Sequence, residues 1–495
     1  MSRRWKLGVH PGDEHYKWWV LSCTSLGMLL ATVNSGTLVI ALPELERALA
    51  IDLLTLVWVL LAYMIASTVL VLTFGRLSDV FGRKKAYVAG FLLFSLASLG
   101  AGLASGGTDL ILWRIVQGVG AALVFANSSA LVTDAFPREQ LGVAMGTNVM
   151  VAAVGLVIGP LLGGLLVEAS WEWVFWFNVP IGLLGTAWAA LVLDELVEPE
   201  GERRFDWLGT ATFVVGLTGL TYGISRGGMV TWTDAQTLVP LALAIVLLPA
   251  FVLIERGAPA PMLDLTLFRD RGFSAATAAS FIAGLSRFSL TFVFVLYFQG
   301  ALGDDPILAG VKLAPLALGM LVSSPLAGRV ADRRGARTLA AAGLLVSAAG
   351  MAGMTLLDTD TPYAATAAWL AVVGVGSGMF NSPNTAAMMG AVPPHRRGIA
   401  AGARMMLQNT GSVLSIAVLL AIVTSAVPKE TLLSIFSGLT TGLSDAALRP
   451  FIHNLHVAMW VLAGTSLVGA AVSLLRPARP DEAVTQEAAF ADAHR

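Results

Sequence analysis

Ionisable side chains are rare inside the long apolar runs of this 495-residue sequence, and those that occur there are basic. Arg114, Arg287 and Lys312 stand within such runs, whereas every aspartate and glutamate falls in a polar stretch or at the end of a run. A charged side chain costs roughly 2.5–3.5 kcal/mol at the middle of a bilayer, and it usually faces a cavity. These residues therefore predict a cavity within the membrane that has a positive electrostatic potential.

The sequence lacks the residues that disulfide bonds, cysteine-based metal sites and ATP binding require. The single cysteine, Cys23, excludes a disulfide framework and a cysteine-based metal site, and the sequence has no Gly-x-x-x-x-Gly-Lys-Ser/Thr motif for ATP. The net charge of −1 lacks the basic excess that nucleic-acid binders show. We therefore expect no metal, no cofactor and no nucleic-acid partner.

The elements that position the buried bases are membrane-spanning helices. Hydrophobic residues make up 56% of the chain and charged residues only 13%, about half of the usual share in soluble proteins. A span needs about 20 apolar residues. Fourteen segments qualify: 18–41, 56–74, 86–104, 110–132, 141–167, 174–193, 208–225, 235–254, 273–302, 307–328, 338–357, 363–389, 405–427 and 455–475.

The distribution of basic residues predicts the orientation of these helices. With the N-terminus inside, 24 lysine and arginine side chains fall in cytoplasmic segments and four in outer loops. Such residues accumulate on the cytoplasmic side of membrane proteins. We expect a multi-pass protein of the cytoplasmic membrane with both termini in the cytoplasm.

Two loops repeat one pattern, which predicts two related halves. Residues 75–85 read GRLSDVFGRKK and residues 328–337 read GRVADRRGAR, and each follows the second helix of a six-helix unit. Two additional helices fit between the units. The predicted organisation is a tail (1–17), a six-helix bundle (18–193), a linker with two inserted helices (194–272), a second six-helix bundle (273–476) and a tail (477–495).

Four motifs in order resemble the major facilitator superfamily, in its fourteen-helix drug:proton antiporter branch. They are the loop 75–85, RIVQGVG at 114–120, GLVIGPLLGG at 155–164 and WEWVFWFNVPIG at 171–182. The resemblance implies an all-α membrane fold, with two six-helix bundles plus two extra helices. It also implies an antiporter, not an enzyme, that exports drugs by alternating access of its two halves.

The same resemblance implies roles for individual residues. In that family the loop carrying Asp79 and Arg83 locks the outward-facing state, and the arginine at position 114 takes part in proton coupling, with Gln117 one turn away. Asp134 and Asp332 complete the predicted gating and coupling set. The fifth-helix motif, with Gly155, Gly159, Pro160, Gly163 and Gly164, is expected to seal a leak path by close helix packing.

One departure from the family concerns the first helix. Relatives in this branch usually carry an aspartate where this chain has Asn34, and an amide neither releases a proton nor pairs ionically with a cationic drug. With three buried bases and no buried acid, we predict neutral, amphiphilic or anionic substrates. The predicted cavity residues are Asn34, Asn148, Arg287, Tyr297, Gln299, Lys312, Asn381 and Gln408.

Two functional hypotheses remain open from the sequence. The first is a proton-coupled exporter of drug-like compounds, with Asp79, Asp134 or an arginine-linked relay replacing the missing acid. The second is a lipid or anionic metabolite transporter with weaker or different coupling. A membrane enzyme or receptor is disfavoured because no nucleophile–base pair occurs. The expected partners are a small-molecule substrate, protons and membrane lipids, and a monomer is expected.

Overall fold

The computed structural model describes residues 13–51, 53–196, 206–229, 231–259, 261, 263, 265–358, 360–393, 396–424 and 445–477, and within these ranges the chain forms helices and no strands. Helices satisfy their backbone hydrogen bonds internally, which is the condition for crossing hydrocarbon. The all-helical architecture predicted from the apolar runs is confirmed.

The first half of the chain forms seven helices. They are α1 (Tyr16–Leu49), α2 (Leu53–Phe81), α3 (Arg83–Ala101), α4 (Gly107–Ala135), α5 (Leu141–Ala169), the one-turn α6 (Trp173–Trp176) and α7 (Asn178–Val192). The segment predicted at 174–193 therefore begins as a separate turn before α7.

The two inserted helices and the second half follow. They are α8 (Trp207–Met229), α9 (Ala235–Gly257), α10 (Arg271–Val295), α11 (Pro306–Lys312), α12 (Ala314–Arg334), α13 (Ala336–Gly353), α14 (Tyr363–Gly390), α15 (Arg397–Thr424) and α16 (Asp445–Leu474). Residues Leu296–Ala301 continue α10 as a π-helical turn. Pro315 separates α11 from α12 because proline lacks the N–H that would continue the first helix.

Ten helices in the described part are long and apolar enough to cross a membrane. The remaining predicted segments coincide with α3, α5, α10 and α15, so each of the fourteen predicted segments overlaps a helix. A multi-pass membrane protein is thereby supported, and the total of fourteen spans stays a prediction.

The repeated loops break their helices in the same way. Gly82 separates α2 from α3 with φ of 103°, and Gly335 separates α12 from α13 with φ of 85°. L-residues avoid this region of backbone conformation, whereas glycine enters it readily. The sequence repeat is therefore also a repeat of local structure.

The two halves meet mainly along two helix pairs, α5 with α12 and α2 with α15. At the end of the molecule that carries the two repeated loops, Phe136 and Leu141 of the first half share a buried cluster with Phe273, Met388 and Ile399 of the second. We refer to this end as the predicted cytoplasmic end. Apolar contact between the halves is thus extensive there.

The inserted pair lies against the outside of this body. Helix α8 packs on α2 and α15, where Tyr222 stacks near Trp58 with ring centroids 4.9 Å apart. Helix α9 packs mainly on α8 and exposes large apolar side chains, among them Leu243, Ile245 and Val246. A lipid environment suits such a surface, so α9 is positioned to face the bilayer.

Candidate functional site

Four charged side chains meet at the predicted cytoplasmic end, and we call them the charge cluster. Asp79 lies in the last turn of α2, Arg83 begins α3, Asp134 lies in the last turn of α4 and Arg397 begins α15. The three residues predicted from the sequence therefore come together, and Arg397 of the other half joins them. All four side chains are at most 10% exposed.

The cluster alternates acids and bases. Arg83 donates from Nη2 and Nε to Asp79 Oδ1 at 2.8 and 3.1 Å, and its Nη1 also pairs with Asp134. Arg397 Nη1 donates to Asp134 Oδ1 at 3.2 Å. Each carboxylate thus neutralises a buried guanidinium, which otherwise would carry a large desolvation cost.

Asp79 also bridges the two halves directly. Its Oδ2 accepts a hydrogen bond from the backbone N–H of Ile399, 3.2 Å away, in the first turn of α15. The repeat provides the reverse contact, because Asp332 Oδ1 accepts from the backbone N–H of Gly142 at 3.0 Å, in the first turn of α5. A carboxylate is favoured at a helix N-terminus by the unpaired N–H groups and the helix dipole.

A second polar group lies deep in the first half, and we call it the amide chain. Arg114 of α4 donates to Gln117 Oε1, and Gln117 Nε2 donates to Asn34 Oδ1 at 3.2 Å and to Ser98 Oγ at 2.7 Å. Asn178, the first residue of α7, donates to the same Asn34 oxygen at 3.2 Å. The chain joins helices α1, α3, α4 and α7.

Arg114 is held by neutral groups. Its Nε donates to the Val59 carbonyl of α2 at 3.0 Å, and its guanidinium carbon lies 4.3 Å from the centre of the Tyr63 ring. The side chain is 1% exposed as a residue, and no carboxylate of the described residues pairs with it. Cation–π contact stabilises such a group without neutralising its charge.

Three other predicted cavity residues bind within or between helices. Asn148 Oδ1 on α5 accepts from Ser25 of α1 at 2.9 Å, and Asn381 Nδ2 donates to the Ser377 carbonyl one turn before it on α14. Gln408 Oε1 accepts from Arg404 at 2.9 Å on α15. These hydrogen bonds hold the three side chains in place on α5, α14 and α15, which are helices that pack against the other half.

Two predicted cavity residues lie at the opposite end of the molecule. The Tyr297 hydroxyl donates to the Asp358 carbonyl at 2.9 Å, and Lys312 Nζ pairs with Asp304 at 2.5 Å. The second contact neutralises one of the three basic side chains that the sequence placed inside the membrane without an acid. The side chains of Arg287, Gln299 and Pro160 lie outside the described part of the structure.

The glycines of α5 lie where neighbouring helices approach it closely. A Cβ added at Gly159 would lie 3.0 Å from the Gly36 Cα, and one at Gly163 would lie 2.9 Å from the Thr37 Cα, both on α1; Gly155 faces Thr32 of the same helix. Gly164 faces the other way, toward Ile307 of α11. Both faces of α5 therefore depend on the absence of a side chain.

The sequence matches a family model described as "Major Facilitator Superfamily" over residues 24–416. This range covers most of both halves and the inserted pair. The chain belongs to the Major Facilitator Superfamily. The resemblance read from the four motifs is confirmed, and the family is one of transporters, so the chain is a multi-pass membrane transporter.

Similar proteins include a multidrug resistance protein and a resistance and export protein. The chain is 33% identical over 402 residues to the multidrug resistance protein Stp of Mycobacterium tuberculosis, covering 81% of this chain and 74% of Stp. It is 29% identical over 509 residues to the tetracenomycin C resistance and export protein of Streptomyces glaucescens, covering 95% and 94%. Among solved structures, the proton:xylose symporter XylE superposes with a TM-score of 0.65 at 13% identity, covering 93% of this chain and 95% of XylE.

Sequence reasoning missed several buried polar residues in this superfamily member. Arg397 and Arg404 were counted only for orientation, although Arg404 lies inside α15 with Nη2 3.4 Å from Ser129 Oγ of the first half. Arg476 follows α16 and contacts Asn384 of α14, and its burial lowers the pKa of this guanidinium to about 10. The available signal for these residues was a charge beside an apolar run, which marks a membrane boundary as readily as a site.

Proposed function

We propose that this protein exports drug-like or amphiphilic small molecules across the cytoplasmic membrane by alternating access, coupled to proton antiport. Similarity to Stp and to the tetracenomycin C export protein supports the drug-export part of the proposal. The observation that carries the mechanism is the reciprocal contact of the two halves through Asp79 and Asp332.

The reciprocal contacts stabilise one of the two states that alternating access requires. Asp79 and Asp332 both join the halves at the predicted cytoplasmic end, beside the buried cluster of Phe136 and Ile399. A pathway closed at this end opens toward the outside. We therefore interpret these contacts as the clamp of the outward-facing state, which must break before cargo enters from the cytoplasm.

Protonation of the charge cluster offers a way to break this clamp. Asp134 bonds both Arg83 of its own half and Arg397 of the other. Protonation of a carboxylate in the cluster would weaken the pairing that holds the two guanidinium groups in place. Proton binding would thus favour separation of the halves, which links proton movement to the conformational change.

Asn34 supports the second candidate, a transporter of lipids or anionic metabolites. This residue is buried in the amide chain with Gln117 and Asn178, and no carboxylate of the described residues pairs with Arg114 beside it. A site of this composition gives no ionic partner to a cationic drug. The two candidates differ in the charge of the cargo and not in the clamp.

Substrate-induced proton movement in proteoliposomes tests the proposal. The purified protein is exposed to a cationic dye-like drug, an anionic amphiphile and a neutral amphiphile, while a pH-sensitive dye reports the lumen. Proton release with any of the three supports proton antiport, and its compound identifies the class of cargo. Cargo transport without proton movement would contradict the coupling, and transport of the anion alone would favour the second candidate.

A further inference from the structure

The amide chain has a surplus of hydrogen-bond donors. Arg114 can only donate, so Gln117 must turn its oxygen toward Arg114 and its NH2 group toward Asn34. Asn34 must then present its oxygen to Gln117, which leaves the Asn34 NH2 group on the other side. Reversing any amide in this series would place two donors against each other. The guanidinium therefore fixes the orientation of Asn34.

The surplus donor of Asn34 has no partner among the described residues. Asn34 is 1% exposed, and its Nδ2 is buried without a hydrogen bond. The Tyr63 hydroxyl, on the ring that Arg114 covers, is buried without a partner as well. One buried acceptor, Asn178 Oδ1, also lacks a donor. A buried donor without an acceptor costs about 1–3 kcal/mol, so an acceptor placed beside the Asn34 NH2 group and the Tyr63 hydroxyl would be favourable.

The positive charge of Arg114 favours an anion, as the unpartnered donors do. Arg114 contacts the Val59 carbonyl, the Gln117 amide and the Tyr63 ring, all of them neutral. The carboxylates of the charge cluster are committed to Arg83 and Arg397 at the predicted cytoplasmic end. A desolvated cation that lacks a counter-ion is strongly destabilising.

We propose that the cluster formed by Arg114, Asn34 and Tyr63 binds a small monovalent anion, with chloride as the ion to be tested. The anion would compensate the guanidinium charge and accept hydrogen bonds from the unpartnered Asn34 and Tyr63 groups. This ion site goes beyond the proposed export function and depends on no particular cargo.

The burial of the cluster decides between a small ion and a charged group of the cargo. The unpartnered atoms of Asn34 and Tyr63 are sealed within the first half, and Tyr63 itself is only 4% exposed. A monoatomic ion requires far less space among the side chains than an organic carboxylate does. An organic carboxylate would need the helices around Arg114 to separate, so the geometry favours the ion.

Thermal unfolding of the full-length purified protein tests the inference without any transport assay. Sodium chloride is exchanged for sodium gluconate at constant ionic strength and pH, with sodium bromide and sodium benzoate as further arms. An ion that binds only the folded state stabilises it by RT ln(1 + c/Kd), where c is the free ion concentration, so Tm should rise with chloride or bromide over gluconate. Chloride NMR line broadening by the protein provides an independent measure of binding.

Asn34→Asp is the decisive variant because it keeps the acceptor that Gln117 and Asn178 use and adds an internal counter-ion for Arg114. We expect it to fold and to lose both the chloride-dependent rise in Tm and the line broadening. Asn148→Asp is the matched control, since it adds a carboxylate on α5 where Asn148 already accepts from Ser25. It should keep the chloride response.

The inference is overturned if the wild-type protein melts at the same temperature in chloride and gluconate and broadens no chloride signal. It is also overturned if Asn34→Asp responds to chloride as the wild type does, or if benzoate stabilises while chloride does not. The last result would assign the cluster to an anionic cargo. A failure of the export proposal would change none of these readings.

Discussion

Asp79 Oδ2 lies 3.2 Å from the backbone nitrogen of Ile399, so a carboxylate of the first half binds the first turn of a helix in the second half. Asp332 makes the inverse contact with Gly142. Because the two loops are repeats of one another, the same device operates in both directions. The closed end therefore combines two hydrogen bonds to carboxylates with the buried apolar cluster that Phe136 and Ile399 share.

Neutralising either carboxylate should open the predicted cytoplasmic end. Asp79→Asn keeps the shape of the side chain but weakens bonds of the charge-assisted type, each worth about 1.5–3 kcal/mol, or roughly a tenfold to hundredfold change in the equilibrium between states. A thiol introduced at buried Leu141 reports the opening, because Cys23 is itself buried and slow to react. We expect the labelling rate of that thiol to rise at least about tenfold.

The matched control for this experiment is Asp109→Asn. Asp109 also accepts a backbone N–H, that of Ser105 at 3.0 Å, but both residues belong to the first half. Labelling at position 141 should stay at the wild-type rate in this variant. Equal rates in Asp79→Asn and in the wild type would remove the clamp from the mechanism.

Glu195 gives a pH dependence that can be predicted in sign. Its carboxylate packs against Gly82 and accepts a hydrogen bond from the Lys84 backbone N–H at 3.3 Å, and partial burial raises the pKa of Glu195 above its ordinary value. The folded state then holds this proton more tightly than the unfolded state. Stability from this group is therefore lost as pH rises through the ordinary glutamate pKa of about 4.3 toward the higher folded value.

Glu195→Gln tests that sign, because glutamine keeps an acceptor for Lys84 but does not titrate. The difference in Tm between the wild type and Glu195→Gln should move against the wild type as pH rises from acidic to neutral. A difference that is independent of pH, or that moves in favour of the wild type, would show that burial does not control this carboxylate.

Close packing of α5 on α1 makes Gly163→Ala costly. The added Cβ would meet the Thr37 backbone at 2.9 Å, where no side chain can move aside. We expect a loss of about 1–3 kcal/mol in stability, together with a faster proton leak through proteoliposomes. Gly464→Ala is the control, because no atom lies within 4 Å of its added Cβ. An equal proton leak in both variants would show that close packing of α5 on α1 does not seal the protein against protons.

The helices and their repeat could be predicted because a bilayer imposes a simple rule, about 20 apolar residues for each span. Asp79 and Arg83 share one loop motif, so their proximity could also be predicted, whereas Asp134 lies in none of the four motifs and its pairing with Arg83 was not predicted. Arg397 escaped prediction because its pairing with Asp134 depends on how the two halves meet, which no local pattern records.

Residues inside the bundle were harder to interpret. Lys312 was counted among three basic side chains within the membrane, and Asp304 in the preceding loop pairs with it at 2.5 Å. Asp304 lies in the loop before α11 and Lys312 is the last residue of α11, so helical periodicity alone does not predict their contact. Asn178 was part of a recognised motif, but its bond to Asn34 depends on the packing of α7 against α1.

The charge cluster also predicts energetic coupling between the halves, measurable as a double-mutant cycle on Asp134 and Arg397. Asp134→Asn leaves two buried guanidinium groups less compensated and should cost about 3–5 kcal/mol in stability. Arg397→Gln removes one of those groups, so the double variant should recover part of the loss, with a coupling of about 0.5–3 kcal/mol.

The exposed pair Glu44 and Arg47, 3.3 Å apart within α1, is the control for that cycle. A surface pair of this kind contributes about 0–1 kcal/mol, so its coupling should be much smaller. Additive effects at Asp134 and Arg397, with no coupling beyond that of the surface pair, would mean that these residues do not hold the halves together. The clamp would then depend on the carboxylates Asp79 and Asp332 and on the apolar cluster beside them.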